Sequence, residues 1–256
     1  MLELVTVKEL RETTLHADED QAYLSFKIIR WFGLYLAKIL IPFPITPTQV
    51  TLIGLFVGLI GIPLLWFGDY WYSLIGIAAY HFHWIIDATD GVIARHKKQG
   101  SISGGFMDSI AHRIIQPLLL VSLGIGGYFR YENTVNVFGL FSFGHIWFLW
   151  AGISASIFFL LHYLVDMKKY EVILMETKFP DKKTLDLLRG GLHGYETRKG
   201  IKSLLFNFLR INPFMIIFFA AIFNFLQWLI VFYSMVYPLL FIKAVINKYN
   251  YFKNIQ

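Results

Sequence analysis

Residues 50–90 read VTLIGLFVGLIGIPLLWFGDYWYSLIGIAAYHFHWIIDATD. Two apolar runs, about 50–67 and 71–89, flank the turn pair Gly68–Asp69. Each is close to the ~20 helical residues that cross a bilayer core of about 30 Å. Four further stretches have the same character, at about 105–127, 143–166, 204–226 and 228–247. The whole chain of 256 residues agrees with this reading: 56% is hydrophobic and only 16% charged, with a mean hydropathy of +0.55. A soluble domain carries about 25% charge, and a disordered chain has few large apolar residues. Both classes are excluded. There is no cysteine, which removes disulfides, thiolate nucleophiles and Cys-bound zinc.

The expected fold is therefore all-α and membrane-integral, with six transmembrane helices preceded by an amphipathic helix at the membrane surface. That surface helix is read at 23–41 (YLSFKIIRWFGLYLAKILI), where Lys27, Arg30 and Lys38 interleave an apolar run that Pro42, Pro44 and Pro47 end. Its Trp31 and Tyr35 suit the headgroup level, while a seventh span is the competing reading. The expected organisation is an N-terminal segment over 1–48, a six-helix domain over 49–247 with a long loop at 167–203, and a tail at 248–256. The first twenty residues contain no basic segment followed by an apolar core, the pattern of a cleavable leader.

Cationic residues orient the spans. Arg95, Lys97 and Lys98 follow the second span, the loop after the fourth contains Lys168, Lys169, Lys182, Lys183, Arg189, Arg198, Lys199 and Lys202, and the tail contains Lys248 and Lys253. The opposite connections contain only Arg130. With six spans all the basic segments fall on one side, which the positive-inside rule makes cytoplasmic, together with both termini. The net charge of +6 then reads as attraction to anionic lipid rather than to nucleic acid.

Ionisable residues within spans are costly, and here they concentrate in residues 81–113, HFHWIIDATDGVIARHKKQGSISGGFMDSIAHR. Asp87 and Asp90, three apart, share a helix face with Gly91 and Ala94. Gly104, Asp108 and His112 follow at intervals of four and share another. The short loop between them makes the two helices antiparallel neighbours whose polar faces can converge at the cytoplasmic boundary. Carboxylates meeting in one cavity remain ionised together only beside a cation. A hard divalent ion such as magnesium suits them, and such sites usually hold phosphates too. Small residues leave room near the backbone, and Arg95, with Lys97 and Lys98 nearby, can neutralise phosphate.

The series Asp87-x2-Asp90-Gly91-x2-Ala94-Arg95-x8-Gly104-x3-Asp108-x3-His112 resembles the motif of the CDP-alcohol phosphotransferase family, DxxDGxxARx8GxxxDxxxD, at seven of eight fixed positions. Thr46-Pro47-Thr48-Gln49-Val50-Thr51 is similar to the T-P-N-x-x-T that precedes the first span in that family, with Thr48 in place of Asn. The resemblance implies an enzyme that cleaves a CDP-linked donor, either a CDP-lipid or a small CDP-alcohol, transfers its phospho-alcohol part to an acceptor hydroxyl and releases CMP. It implies Asp87, Asp90 and Asp108 as ligands of Mg²⁺ or Mn²⁺, and Gly91, Ala94, Arg95 and Gly104 as the lining of the CDP pocket. It also implies a homodimer among membrane lipids.

The family's last Asp, its usual base, is His112 here. Three readings stand open. His112 is the general base, with Asp108 beside it; or it alters metal preference, since imidazole favours manganese or zinc over magnesium; or activity has changed or been lost. His83, one turn before Asp87, is read as a packed histidine or a partner of the cavity. The 167–203 loop, with Arg189, Gly190, Gly191, His193, Arg198 and Lys199, is read as a solvated basic loop or as a cover for a phosphorylated acceptor. Two other function classes compete: an ion-coupled transporter, whose site belongs nearer the midplane, and a silent lipid-binding relative.

Overall fold

The computed structural model describes residues 5–14, 24–131, 134–137, 141–176 and 213–253. Eight α-helices build it among the described residues: α1 Val7–Thr14, α2 Leu24–Leu40, α3 Pro47–Gly61, α4 Tyr70–His96, α5 Ile102–Arg130, α6 Ile146–Glu176, α7 Pro213–Ile222 and α8 Leu226–Lys253. Between α5 and α6 lies a two-stranded hairpin, β1 Thr134–Val137 and β2 Phe141–Gly144, pairing Thr134 with Gly144 and Val137 with Phe141. The sequence reading treated this stretch as a plain connection. Its alternating β-branched and aromatic residues suit a ladder, and it adds no strand to the helical core.

Among the described residues, four segments are long and apolar enough to cross a membrane: Pro47–Phe67, Ile102–Arg130, Ile146–Val165 and Leu226–Lys253. In the last, only 17% of the most apolar window is buried inside the protein. A helix that apolar needs lipid or a partner against its remaining surface. α4 has the length, at 27 residues, but His81, His83, Asp87 and Asp90 lower its hydropathy. Of the expected span at 204–226, only α7 and the turn after it are described; residues 204–212 lie outside the described set.

Helix ends follow local chemistry. Thr46 and Gln49 form a reciprocal capping box, with Thr46 N–H donating to Gln49 Oε1 at 2.9 Å and Gln49 N–H to Thr46 Oγ1 at 3.3 Å. Pro47 sits at the first helical position, where its missing N–H costs nothing. Pro63 tightens the end of α3 into a 3₁₀ turn over Ile62–Phe67. Gly68 then closes it at φ +64°, left-handed backbone that glycine takes without strain. The Asp69 carboxylate caps α4, accepting from Trp71 N–H at 2.8 Å and Tyr72 N–H at 3.2 Å. The turn expected near Gln227 falls at Phe223–Phe225, with Asn224 at φ 59°; Gln227 is buried in α8.

Two boundaries differ from expectation. α6 continues to Glu176, into the stretch read as loop, and residues 177–203, with Arg189, His193, Arg198 and Lys199, lie outside the described residues. α4 and α5 share few backbone contacts, because α3 packs against both. Glycines let it do so. A Cβ at Gly54 would stand 3.1 Å from Ile86 Cγ2, and one at Gly58 only 2.7 Å from Ile115 Cδ1. α4 and α5 therefore meet through side chains around the end of α3, not as a packed pair.

A central cluster, including Ile77, Tyr80, Ile115, Leu119, Phe148, Ile217 and Ile230, joins α4 to α8. A second, including Leu10, Leu34, Val50, Ile86 and Ile93, binds α1 and α2 to α3 and α4. α2 lies so close to α4 that a Cβ at Gly33 would be 3.0 Å from Ala88 Cβ. Its Trp31, Phe32 and Tyr35 are exposed.

The turns sort to opposite ends. At one end Gly68 adjoins Arg130 and Gly126, the Arg130 guanidinium donates to Asn224 Oδ1, and Tyr70 OH donates to Ile222 O at 3.2 Å. At the other lie the starts of α3 and α5 and the end of α4. There Lys97 Nζ donates to Phe43 O at 2.8 Å and Ile45 O at 3.1 Å. Lys97 thus ties the α2–α3 connection to the end of α4 and is not held towards a phosphate. Lys97→Ala is expected to lower stability by about 1–3 kcal/mol, the scale of charged hydrogen bonds. A melting temperature in detergent unchanged from wild type would contradict this.

Candidate active site

Three elements contribute. α4 contributes Asp87, Asp90, Gly91, Ala94 and Arg95 from its last turns, α5 contributes Gly104, Asp108 and His112 from its first turns, and α3 contributes Thr48 and Thr51. Ser101 fixes the start of α5, its Oγ accepting from Gly104 N–H at 3.0 Å. This N-cap starts α5 at Ile102, and Asp108 and His112 follow within its next three turns.

His112 joins the two helices. Its Nε2 stands 3.2 Å from Asp87 Oδ1 and 3.3 Å from Asp108 Oδ1. One ligand atom each from Asp87, Asp108 and His112 lies within 4.8 Å of the others, close enough to share one metal ion. The Asp87 side chain is 18% exposed, His112 27% and Asp108 43%, so the group opens outward on its Asp108 side. Asp87 Oδ1 is buried without a well-formed hydrogen bond. The 3.2 Å approach of His112 is a charge contact of the kind a cation would replace or join.

Asp90 makes a further contact, to α3. Its Oδ2 accepts a short hydrogen bond from Thr51 Oγ1, which also lies 3.2 Å from Pro47 O. Sequence reasoning expected Asp87, Asp90 and Asp108 to converge. The structure brings together Asp87, Asp108 and His112, and gives Asp90 a hydrogen bond to Thr51 on α3.

The small residues frame this end. The Arg95 guanidinium folds over Gly91, 3.4 Å from where a Cβ would stand, and a Cβ at Gly104 would lie 3.5 Å from Thr48 Oγ1. Gly91, Ala94, Arg95 and Gly104 are all partly exposed. Below the cluster, His83 is 1% exposed, its ring centroid 6.0 Å from that of His112. Trp84 stacks on His112 at 4.6 Å and 28°. Sequence reasoning missed Trp84 and gave Thr51 no role. The spacing of Trp84, three before Asp87, was available as a signal; the Thr51–Asp90 bond spans 39 positions and no local pattern reveals it. His81 Nδ1 lies 2.7 Å from Ile77 O, one turn back along α4.

Helices of membrane length, with acidic and histidine side chains gathered at one end, define an integral membrane protein with a candidate metal site. The sequence model of the CDP-alcohol phosphatidyltransferase family matches residues 44–240, and the chain belongs to that family, a family of phosphate-group transferases. It is also 31% identical over 99 residues to an archaetidylinositol phosphate synthase of Pyrococcus horikoshii, covering 39% of this chain and 51% of that protein. The chain spans about half the length of this curated relative.

Proposed function

We propose that the protein cleaves a CDP-linked donor and transfers its phospho-alcohol or phosphatidyl part to an acceptor hydroxyl in phospholipid or related phosphodiester synthesis. The observation that carries this reading is the meeting of Asp87, Asp108 and His112 across two helices at the end where Arg95, Gly91 and Gly104 are accessible. In the reaction the acceptor oxygen attacks the phosphorus nearest the transferred alcohol. A new P–O bond forms, the P–O bond to CMP breaks, and CMP leaves with the electron pair. The acceptor proton passes to Asp108, which stands beside His112.

The residues fit a divalent ion, Mg²⁺ or Mn²⁺. Two carboxylates and an imidazole reach one point, and Asp87 Oδ1 is buried there. Asp87 and Asp108 would hold it, with Asp90 as a further ligand. Bound there, the ion supplies neutralising charge for the diphosphate and for departing CMP. Arg95 adds a fixed cation, and Gly91, Ala94 and Gly104 line the space for the nucleotide. Positioning and charge stabilisation then account for most of the rate, as in phosphoryl transfer generally.

The proposed arrangement has six spans, α2 along the cytoplasmic surface, and both termini and the site on the cytoplasmic side. The sorting of basic segments supports it. The exposed apolar surface of α8 suits lipid and the interface of a homodimer. The relative's name makes a phosphorylated polyol an acceptor to test beside simple alcohols. A second reading rests on the contact of His112 with both carboxylates, which already compensates their charge: a member that binds CDP-lipid without turning it over. Purified protein supplied with CDP-diacylglycerol or small CDP-alcohols, acceptors and Mg²⁺ or Mn²⁺ distinguishes the two. CMP release supports transfer. Tight donor binding without CMP release from any pair supports the second reading.

A further inference from the structure

We infer that His112 is itself a metal ligand, and that its imidazole turns this site from a magnesium site into one that prefers a transition-metal divalent ion able to accept nitrogen, Mn²⁺ over Mg²⁺. The inference rests on the metal site of the preceding reading and names what that site selects.

The geometry leads to it in three steps. First, it is Nε2 that enters the carboxylate group, at 3.2 Å from Asp87 Oδ1 and 3.3 Å from Asp108 Oδ1. A ring nitrogen placed between two carboxylate oxygens occupies the third corner of a ligand set, and the three donor atoms lie within 4.8 Å of one another. Second, the ring is held in that attitude. It stacks on Trp84 at 4.6 Å with 28° between planes, and His83 packs against its edge at 6.0 Å and 69°. Its Nδ1 is buried without a hydrogen bond, so packing orients the ring where a hydrogen-bonded partner usually does. Third, Asp90 is engaged by Thr51. The nearest set is two oxygens and one nitrogen, and with Asp90 as a further ligand it is still not all oxygen. Magnesium favours oxygen ligands and binds imidazole poorly, whereas manganese, iron and zinc accept it. With Nε2 committed to the metal, the acceptor proton falls to Asp108, the most exposed of the three.

Mn²⁺ added to the purified full chain in imidazole-free detergent buffer, observed by pulsed electron paramagnetic resonance, tests this. Bound Mn²⁺ should show coupling to one ¹⁴N nucleus that vanishes in His112→Asp. The ratio of Mg²⁺ to Mn²⁺ dissociation constants should fall at least about tenfold in that variant. Bound Mn²⁺ without nitrogen coupling, coupling that persists in His112→Asp, or an unchanged ratio would overturn the assignment. If His112→Asp does not fold, the wild-type coupling and a His112→Asn variant decide it. Nitrogen coupling without CMP release from any donor would defeat the transfer reading and leave the ligand assignment standing. CMP release with Mn²⁺ bound through oxygen alone would do the reverse.

Discussion

Asp87→Asn is expected to lower CMP release about a thousandfold or more while leaving the protein folded. Asp87 is the hub of the site. Its Oδ1 contacts His112 at 3.2 Å, it belongs to the set that can share a metal, and at 18% exposure water compensates little for its loss. The amide keeps the shape and removes the charge. It can present an N–H where a ligand oxygen stood, and it leaves His112 one carboxylate instead of two. A thousandfold loss corresponds to about 4 kcal/mol of transition-state stabilisation, a scale reached when a charge is removed from a preorganised site. Asp108→Asn should act in the same direction. Steady-state CMP release, with a monodisperse elution profile as the control, provides the measurement. An Asp87→Asn rate above about a tenth of wild type would show that the carboxylate is not where the charge is needed.

The second large effect is structural. Gly124→Val should destabilise the protein by about 3 kcal/mol or more, and in practice cost most of its folded yield. α5 and α6 cross backbone to backbone: a Cβ at Gly124 would stand 2.7 Å from Phe148 O and 2.9 Å from Gly152 Cα. Backbone atoms cannot turn away as a side chain can, so the helices must separate and Phe148, fully buried, loses its packing. Small residues at such crossings are how membrane helices approach closely, and overpacking against rigid neighbours belongs to the severe end of point-mutant effects. Gly105→Ala on the same helix is the control. No atom lies within 4 Å of its Cβ position, and the change should be neutral or stabilise by up to about 1 kcal/mol. Equal melting temperatures for Gly124→Val and Gly105→Ala would contradict the packing account.

The legible parts of the sequence were those whose signal is local. Helical periodicity placed Asp87 with Asp90 and Asp108 with His112. The run Thr46 to Thr51 marked a helix start and proved to be a capping box. Contacts made across the chain were not legible. Gly54 and Gly58 have no functional group to announce that α3 would stand between α4 and α5. Lys97 looked like a phosphate cation because its partners are main-chain carbonyls at Phe43 and Ile45, which every residue possesses. Asp90 matched the ligand spacing, but nothing local announced its bond to the Thr51 hydroxyl of α3. Trp84 was given no role, and its ring stacks on His112.

CMP release before and after chelation of divalent ions tests the central claim most directly. If acidic groups from α4 and α5 share a cation that the transfer requires, excess chelator will stop CMP release by the wild-type protein, and added Mn²⁺ or Mg²⁺ will restore it. Release that continues at the same rate in chelator would contradict the account.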